Sequence, residues 1–159
     1  MERNRKQDQK NGGPHNGPHQ FTMKNWISCA PFERLLHMEI VEASEGRSIL
    51  TMPFLVEFAQ GGGLMHGGSL VSLADTAVVM AIKSLVPPQT HFATTSLQST
   101  FLRPVRQGIV TARARVLTFE KRDIDGEATL YDETGQRVFF FTSHFKIAKD
   151  SGGVFQPGA

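Results

Sequence analysis

The chain has one cysteine, no long apolar run and no excess of charge, and each of these absences excludes a class of protein. Cys29 is the only cysteine among 159 residues, which excludes a disulfide framework and cysteine-based zinc or iron–sulfur sites. Such a chain suits a reducing compartment, so we expect a cytoplasmic protein. The longest apolar stretch, 64–82, is interrupted by His66 and Asp75 and does not fit a membrane span.

Charge is balanced over most of the chain. The formal charge of +2 comes from the first twenty residues, because 21–159 contain thirteen basic and thirteen acidic residues. We therefore expect no nucleic-acid partner.

The first twenty residues also lack any apolar side chain after Met1, which excludes the core of a signal peptide. His15 and His19 lie in this non-helical stretch, so we expect no metal site. We expect a disordered tail over 1–21, one domain over 22–148 and a flexible tail over 149–159.

Hydrophobic periodicity predicts one long helix followed by several strands. A broken helical pattern over 22–36, split by Pro31, predicts a helical lead-in. A hairpin around Glu45-Gly46 and a helix over about 68–85, ended by two prolines, follow. The remaining residues predict four strands in hairpins, at about 92–103, 108–119, 122–132 and 137–147.

The long helix is apolar on every side. Between Leu70 and Ile82 its only charged residue is Asp75, and a helix of this kind is buried rather than laid on a surface. The sheet must then curl around it, which predicts an α+β fold with an antiparallel sheet wrapped around one central helix. Val138 and Phe140 place apolar groups on the outer face of the last strand, so a partner chain is expected to cover part of the sheet.

The start of the helix is a candidate oxyanion site. The Gly-x-Ser-x-Gly and His-Glu-x-x-His motifs of familiar hydrolases are missing. Gly67 and Gly68 instead open the helix, where amides lack internal partners and the macrodipole is positive. Two such amides can stabilise a carbonyl oxygen that becomes negative during acyl transfer. The alternative is that the two glycines only let the loop turn and the helix pack closely.

Asp75 is the candidate acid. An unpaired carboxylate within an apolar helix is costly and is retained where it has a task or a partner, the alternative being a structural bond to Ser72, Thr76 or a loop amide. Seven residues separate it from Gly68, which is about 700° of turn and about 10.5 Å of rise. The two residues cannot reach one carbonyl, so the acid must come from a second copy of the helix in an isologous dimer.

These residues carry a family resemblance. The sequence QGGGLMHGG at 60–68, followed by LADTA at 73–77 and FLRP at 101–104, resembles the hotdog-fold acyl-CoA thioesterases of the phenylacetyl-CoA-pathway and 4-hydroxybenzoyl-CoA groups. The likeness spans about 24–148. It implies the hotdog fold, a Gly67 amide as oxyanion donor and Asp75 of the neighbouring subunit as base or nucleophile. Gln60 paired with an aspartate at 75 mixes two groups of the family, which leaves the acyl group open.

The resemblance also implies supporting roles. Gln60 corresponds to a side-chain amide that positions the thioester or water, and Thr94 lies near a hydroxyl that orients water, although a strand contact would explain Thr94 equally. His66 corresponds to a residue that shapes the loop through hydrogen bonds rather than to the base. The acyl pocket is expected to be apolar, between subunits and lined by Val79.

The expected substrate is an acyl- or aroyl-CoA, with CoA as part of the substrate and no other cofactor. Its phosphates need positive charge at strand ends, for which the candidates are Arg103, Lys121 and Arg122, although each is also explained as a solvated residue. We expect a homodimer as the minimum unit and a homotetramer as the assembly. The alternatives are a hotdog protein that binds acyl ligands without turnover, a hydratase on the same fold, and an interaction protein.

Overall fold

The structure, a computed structural model, describes residues 21–151. Except for Phe21, the predicted tail 1–21 lies outside these residues, as does most of the predicted tail 149–159. Two helices, six strands and one 3₁₀ turn (Val56–Phe58) are formed within the described part. The helices are α1 (Pro31–Leu35) and α2 (Gly67–Lys83), and the strands are β1 (Glu39–Ser44), β2 (Arg47–Pro53), β3 (Phe92–Phe101), β4 (Ile109–Glu120), β5 (Asp123–Tyr131) and β6 (Arg137–Ile147).

The six strands form one antiparallel sheet in the order β1-β2-β4-β5-β6-β3. The predicted turn joins β1 to β2, with Glu45 and Gly46 at φ 49° and 74°, as a two-residue hairpin turn with a right-handed strand twist requires. Short turns also join β4, β5 and β6, whereas β3 follows α2 and pairs with the far side of β6. The sheet curls around α2, which confirms the predicted hotdog fold.

The core lies between the concave face of the sheet and α2. Alternate residues of β4 and β5, including Ala112, Ala128 and Leu130, are fully buried, while the intervening charged residues face outward. Gly126 on β5 allows the closest approach of helix and sheet, because a Cβ there would lie 2.4 Å from Cγ1 of Val78. The helix therefore packs against the face of the sheet that carries these small side chains.

The lead-in differs in part from the prediction of two short helical pieces over 22–36, separated by Pro31. Only Pro31–Leu35 is helical, with Pro31 in the first turn, where a missing N–H costs nothing. The preceding residues form bends instead. Trp26 donates its indole N–H to the carbonyl of Lys83 at 2.9 Å. This tertiary contact holds the segment across the end of α2 and overrides its weak helical pattern.

One side of α2, which the apolar pattern predicted to be buried, is not covered by its own chain. Gly68 is exposed, and Ser72, Asp75, Val79 and Lys83 are half-buried. Their spacing of three to four residues places them on one face, which we call the open face of α2. The sheet buries the other faces, because it curls around only part of the helix.

The sheet also ends beside this open face. β3 is an edge strand of the sheet, and Leu97 and Phe101 on it are 48% and 57% exposed. Exposed apolar groups on an unpaired edge are a template for association with another strand. Within residues 21–151, no helix is both long enough and apolar enough to cross a bilayer.

Candidate active site

The N-terminus of α2 is capped by a histidine. Nδ1 of His66 accepts the N–H of Gly68 at 2.8 Å, and the carbonyl of His66 accepts the N–H of Ser69 at 3.0 Å. The first bond requires Nδ1 to be unprotonated. The N–H of Gly67 has no partner among the described residues. Of the two amides predicted for the oxyanion site, the one at Gly68 is thus already engaged, and the one at Gly67 is available to a ligand.

The loop before α2 is held by backbone hydrogen bonds. Gln60 donates its N–H to the carbonyl of Leu64 at 2.8 Å, and His66 donates to the carbonyl of Phe58 at 2.7 Å. The side-chain oxygen of Gln60 accepts the N–H of Gly62. This bond fixes the Gln60 amide and directs its oxygen into the loop. Its NH₂ group is the part of Gln60 that can donate to a substrate. The resemblance implies that His66 shapes this loop, and in the structure its bonds go to Phe58, Gly68 and Ser69.

Asp75 is held by Thr94 from the neighbouring strand. The hydroxyl of Thr94 donates to the carboxylate at 3.0 Å from Oδ1 and 3.3 Å from Oδ2. Ser72, an alternative partner at the sequence level, donates to the carbonyl of Gly68 at 2.8 Å instead. Burial raises the pKa of the Asp75 carboxyl, and the Thr94 hydrogen bond opposes that rise. A carboxylate with a raised pKa is a better proton acceptor than an ordinary aspartate.

The two halves of the site lie at opposite ends of β3. A Cβ on Gly67 would lie 2.9 Å from the Phe101 ring, at the end of the strand, whereas Asp75 contacts Thr94 near its beginning. Along α2 the two residues are separated by about 12 Å of rise. Within one chain, the free amide and the carboxylate therefore cannot act on the same carbonyl group.

The three basic residues predicted to bind the CoA phosphates do not form one cluster. Lys121 and Arg122 form the β4–β5 turn, where Arg122 Nε donates to the carbonyl of Ile147 at 2.7 Å. Ile147 pairs with the first residue of β3. Arg103 follows the last residue of β3 and donates to the side chain of Gln136 at 2.8 Å. The structure brings Lys121 and Arg122 together and places Arg103 at the other end of the strand.

A cavity of about 300 Å³ lies next to Thr94, the residue that holds Asp75. Of its lining residues, Val79 and Thr94 were predicted from the sequence as part of the site. Thr94 is part of its wall, and the open face of α2 contributes Val79 and Lys83. The available signal was the four-residue spacing of Asp75, Val79 and Lys83, which puts all three on one helix face. The remaining wall comes from Trp26, Thr90, His91, Phe92, Ala93 and Phe145. Within residues 21–151, no group of three or more His, Cys, Asp or Glu side chains could hold a metal ion.

A sheet curled around one helix is the architecture of the hotdog hydrolases, and comparisons with known proteins agree with this class. Residues 62–139 match the model of the thioesterase superfamily. A Pasteurella multocida protein named as an esterase is 32% identical over 119 residues, covering 74% of this chain and 86% of the relative. The proofreading thioesterase EntH of Klebsiella pneumoniae is 34% identical over 86 residues, covering 54% and 63%.

Solved structures of other proteins show the same fold. The E. coli PaaI protein from the phenylacetic acid degradation operon superposes with a TM-score of 0.71 at 26% identity, covering 80% of this chain and 88% of that one. A conserved Pseudomonas aeruginosa protein superposes with a TM-score of 0.74 at 24% identity, covering 80% and 100%, and shows the shared fold. The chain belongs to the thioesterase superfamily, and it is a thioester hydrolase.

Proposed function

We propose that this protein hydrolyses acyl-CoA thioesters at sites shared between two subunits, each built from Gly67 of one subunit and Asp75 of the other. The observation that carries this proposal is the geometry of α2. Its free Gly67 amide and its half-buried Asp75 lie about 12 Å apart along the same helix. A second helix, related by a two-fold axis, is needed to bring such an acid to such an amide.

The edge strand β3 supplies a route to that arrangement. Gly67 adjoins Phe101 at one end of β3, and Asp75 adjoins Thr94 near the other. Antiparallel pairing of β3 with the β3 of a second copy, centred near Leu97 and Gln98, would bring the Thr94 end of one subunit to the Phe101 end of the other. The same pairing would bring Arg103 toward Lys121 and Arg122 of the partner subunit, which could then share the CoA phosphates.

In the proposed reaction, the Gly67 N–H donates to the thioester carbonyl oxygen and the Gln60 NH₂ group helps to orient the substrate or the attacking water. Asp75 of the partner subunit accepts a proton from water while the water oxygen bonds to the carbonyl carbon. The tetrahedral oxyanion then collapses, the carbon–sulfur bond breaks, and the CoA thiolate takes the proton from Asp75. In the alternative route, the carboxylate attacks the carbonyl carbon, the carbon–sulfur bond breaks and the CoA thiolate leaves. Water then hydrolyses the resulting anhydride, so that its hydroxyl stays on the acyl group, its proton goes to the thiolate and the Asp75 carboxylate is regenerated.

A binding protein or a hydratase with this fold would give different results in an assay of thioester cleavage. A protein that only holds acyl ligands would bind acyl-CoA without releasing thiol. A hydratase would act on an unsaturated acyl-CoA and leave its thioester intact. The test is free-thiol release from short-chain, long-chain and aromatic acyl-CoAs, with Asp75→Asn compared at matched oligomeric state.

Loss of a catalytic base or nucleophile should lower turnover at least about a hundredfold. Glu57→Gln, a change of an exposed carboxylate outside the site, is the matched control. Equal turnover by wild type and Asp75→Asn would contradict the proposed mechanism. Thiol release by neither protein would favour a binding role.

A further inference from the structure

The cavity that has Thr94 in its wall is also lined by a lysine, Lys83. Val79 and Lys83 follow Asp75 at intervals of four along the open face of α2, and Trp26, Phe92 and Phe145 supply aromatic walls. Thr94, whose hydroxyl holds Asp75, also lies in the wall. The wall of the cavity thus contains both Lys83 and Thr94, the residue that holds the proposed catalytic acid.

The Lys83 side chain is directed across the end of the helix instead of into solvent. Its Nζ donates to the backbone carbonyl of Trp26 at 3.0 Å and lies 4.8 Å from the centroid of the indole ring. Trp26 in turn donates to the Lys83 carbonyl. A lysine in the last turn of a helix interacts favourably with the helix macrodipole whatever the direction of its side chain. The macrodipole therefore does not explain why Lys83 exchanges two hydrogen bonds with Trp26 and lines the cavity.

No carboxylate within the described residues lies close enough to Lys83 to form an ion pair. Glu33 acts on Lys83 through space, but it does not line the cavity. Burial lowers the pKa of the Lys83 ammonium, an effect that Glu33 opposes. An ammonium group has three donors, and one of them is used by Trp26. A half-buried cation with donors to spare is a binding group for an anion.

We infer that the acyl groups accepted by this enzyme carry a carboxylate at the end remote from the thioester, and that Lys83 binds it. This inference rests on the proposed function, because it places the thioester at Asp75. The substrate class is the CoA mono-thioester of a dicarboxylic acid. The aromatic walls surround the methylene chain, and the ammonium group at the far end selects the charged terminus over a methyl group.

The test compares kcat/KM for adipyl-CoA and suberyl-CoA with kcat/KM for hexanoyl-CoA and octanoyl-CoA, their counterparts of equal length. Wild type should prefer at least one carboxylated substrate by about tenfold or more, as a charge-assisted hydrogen bond allows. Lys83→Met should remove the preference while turnover of hexanoyl-CoA and octanoyl-CoA persists, and Lys83→Arg should retain part of it. Lys149→Met, which changes an exposed lysine that does not line the cavity, is the matched control.

The outcomes separate this inference from the proposed function. If wild type hydrolyses no thioester, the proposed function itself fails. If wild type hydrolyses thioesters but favours the unsubstituted chains, or if Lys83→Met keeps the wild-type ratio, only the Lys83 inference is overturned. A higher kcat/KM for 4-hydroxybenzoyl-CoA than for every carboxylated substrate would also overturn it. Should Lys83→Met fail to fold, the wild-type ratios and the Lys83→Arg variant still decide.

Discussion

Removing the hydroxyl that holds Asp75 should move the acidic limb of the pH–rate profile. Thr94 donates to both carboxylate oxygens, at 3.0 Å and 3.3 Å, and this bond favours the ionised form. Thr94→Val keeps the shape of the side chain and removes the donor. Burial then raises the pKa of Asp75 without opposition from this bond. Because the proposed mechanism uses the ionised carboxylate, activity should be lost at a higher pH than in wild type.

The size of the shift follows from the strength of the bond. A hydrogen bond to a charged group contributes about 1.5 to 3 kcal/mol, and one pH unit corresponds to about 1.4 kcal/mol. The site is partly open to solvent, so the lower end applies, and the acidic limb should move by about one pH unit. The assay is kcat/KM against pH with one acyl-CoA, for wild type, Thr94→Val and Thr94→Ser.

Two variants make this prediction specific. Thr94→Ser keeps a hydroxyl and should retain the wild-type profile, apart from a uniform change in rate. Thr95→Val changes the next residue on β3, whose hydroxyl donates to the carbonyl of His144 at 3.1 Å and not to Asp75, and should leave the limb in place. An acidic limb that stays fixed in Thr94→Val would refute the assignment of that limb to Asp75.

Three further predictions concern stability. Burial raises the pKa of Asp75 in the folded state above its unfolded value, so the ionised carboxylate destabilises the folded protein at pH values above the raised pKa. Asp75→Asn should therefore increase the free energy of unfolding in urea near pH 7. This gain should shrink as pH falls through the raised pKa and be absent below the ordinary pKa of an aspartate, and a gain that grows toward low pH would contradict the sign. Gly126→Ala, which places a methyl group 2.4 Å from Val78 Cγ1, should destabilise by about 1 to 3 kcal/mol in chemical denaturation, whereas Gly61→Ala, with no atom within 4 Å of the new methyl group, should not. His66→Ala should lose about 0.5 to 2 kcal/mol with the helix cap and His66→Asn should regain most of it, so equal stability of the two variants would argue against the cap.

Local patterns of apolar, charged and proline residues predicted most of the fold, because each of these patterns is compatible with only one arrangement of its helix or strand. Alternation of apolar and charged residues in β4 and β5 admits one buried face, and the prolines after α2 admit one end for the helix. The lead-in was predicted wrongly because its helical pattern is weak and the bonds between Trp26 and Lys83 join residues 57 apart in the chain. Contacts over such a separation have no local signature.

The candidate site was predictable in its components and less so in its details. Two glycines at the start of a helix and a single acid within an apolar helix can be recognised from the sequence alone. The engagement of the Gly68 amide depends on the position of the His66 ring, which the sequence does not specify. The open face of α2 was not predicted, because an apolar residue such as Val79 indicates burial without indicating whether the same chain or a second chain buries it.

The shared site is tested most directly by mixing two inactive variants. Asp75→Asn removes the acid, and Gly67→Val obstructs the amide by placing a side chain against Phe101. In a dimer with one subunit of each kind, a shared site predicts that one of the two sites carries both changes and the other carries neither. After refolding an equal mixture, half of the dimers are mixed, so activity should recover to about a quarter of the wild-type value. If the mixture stays as inactive as its parents although mixed dimers are present by native mass spectrometry, each site lies within one subunit and the account is wrong.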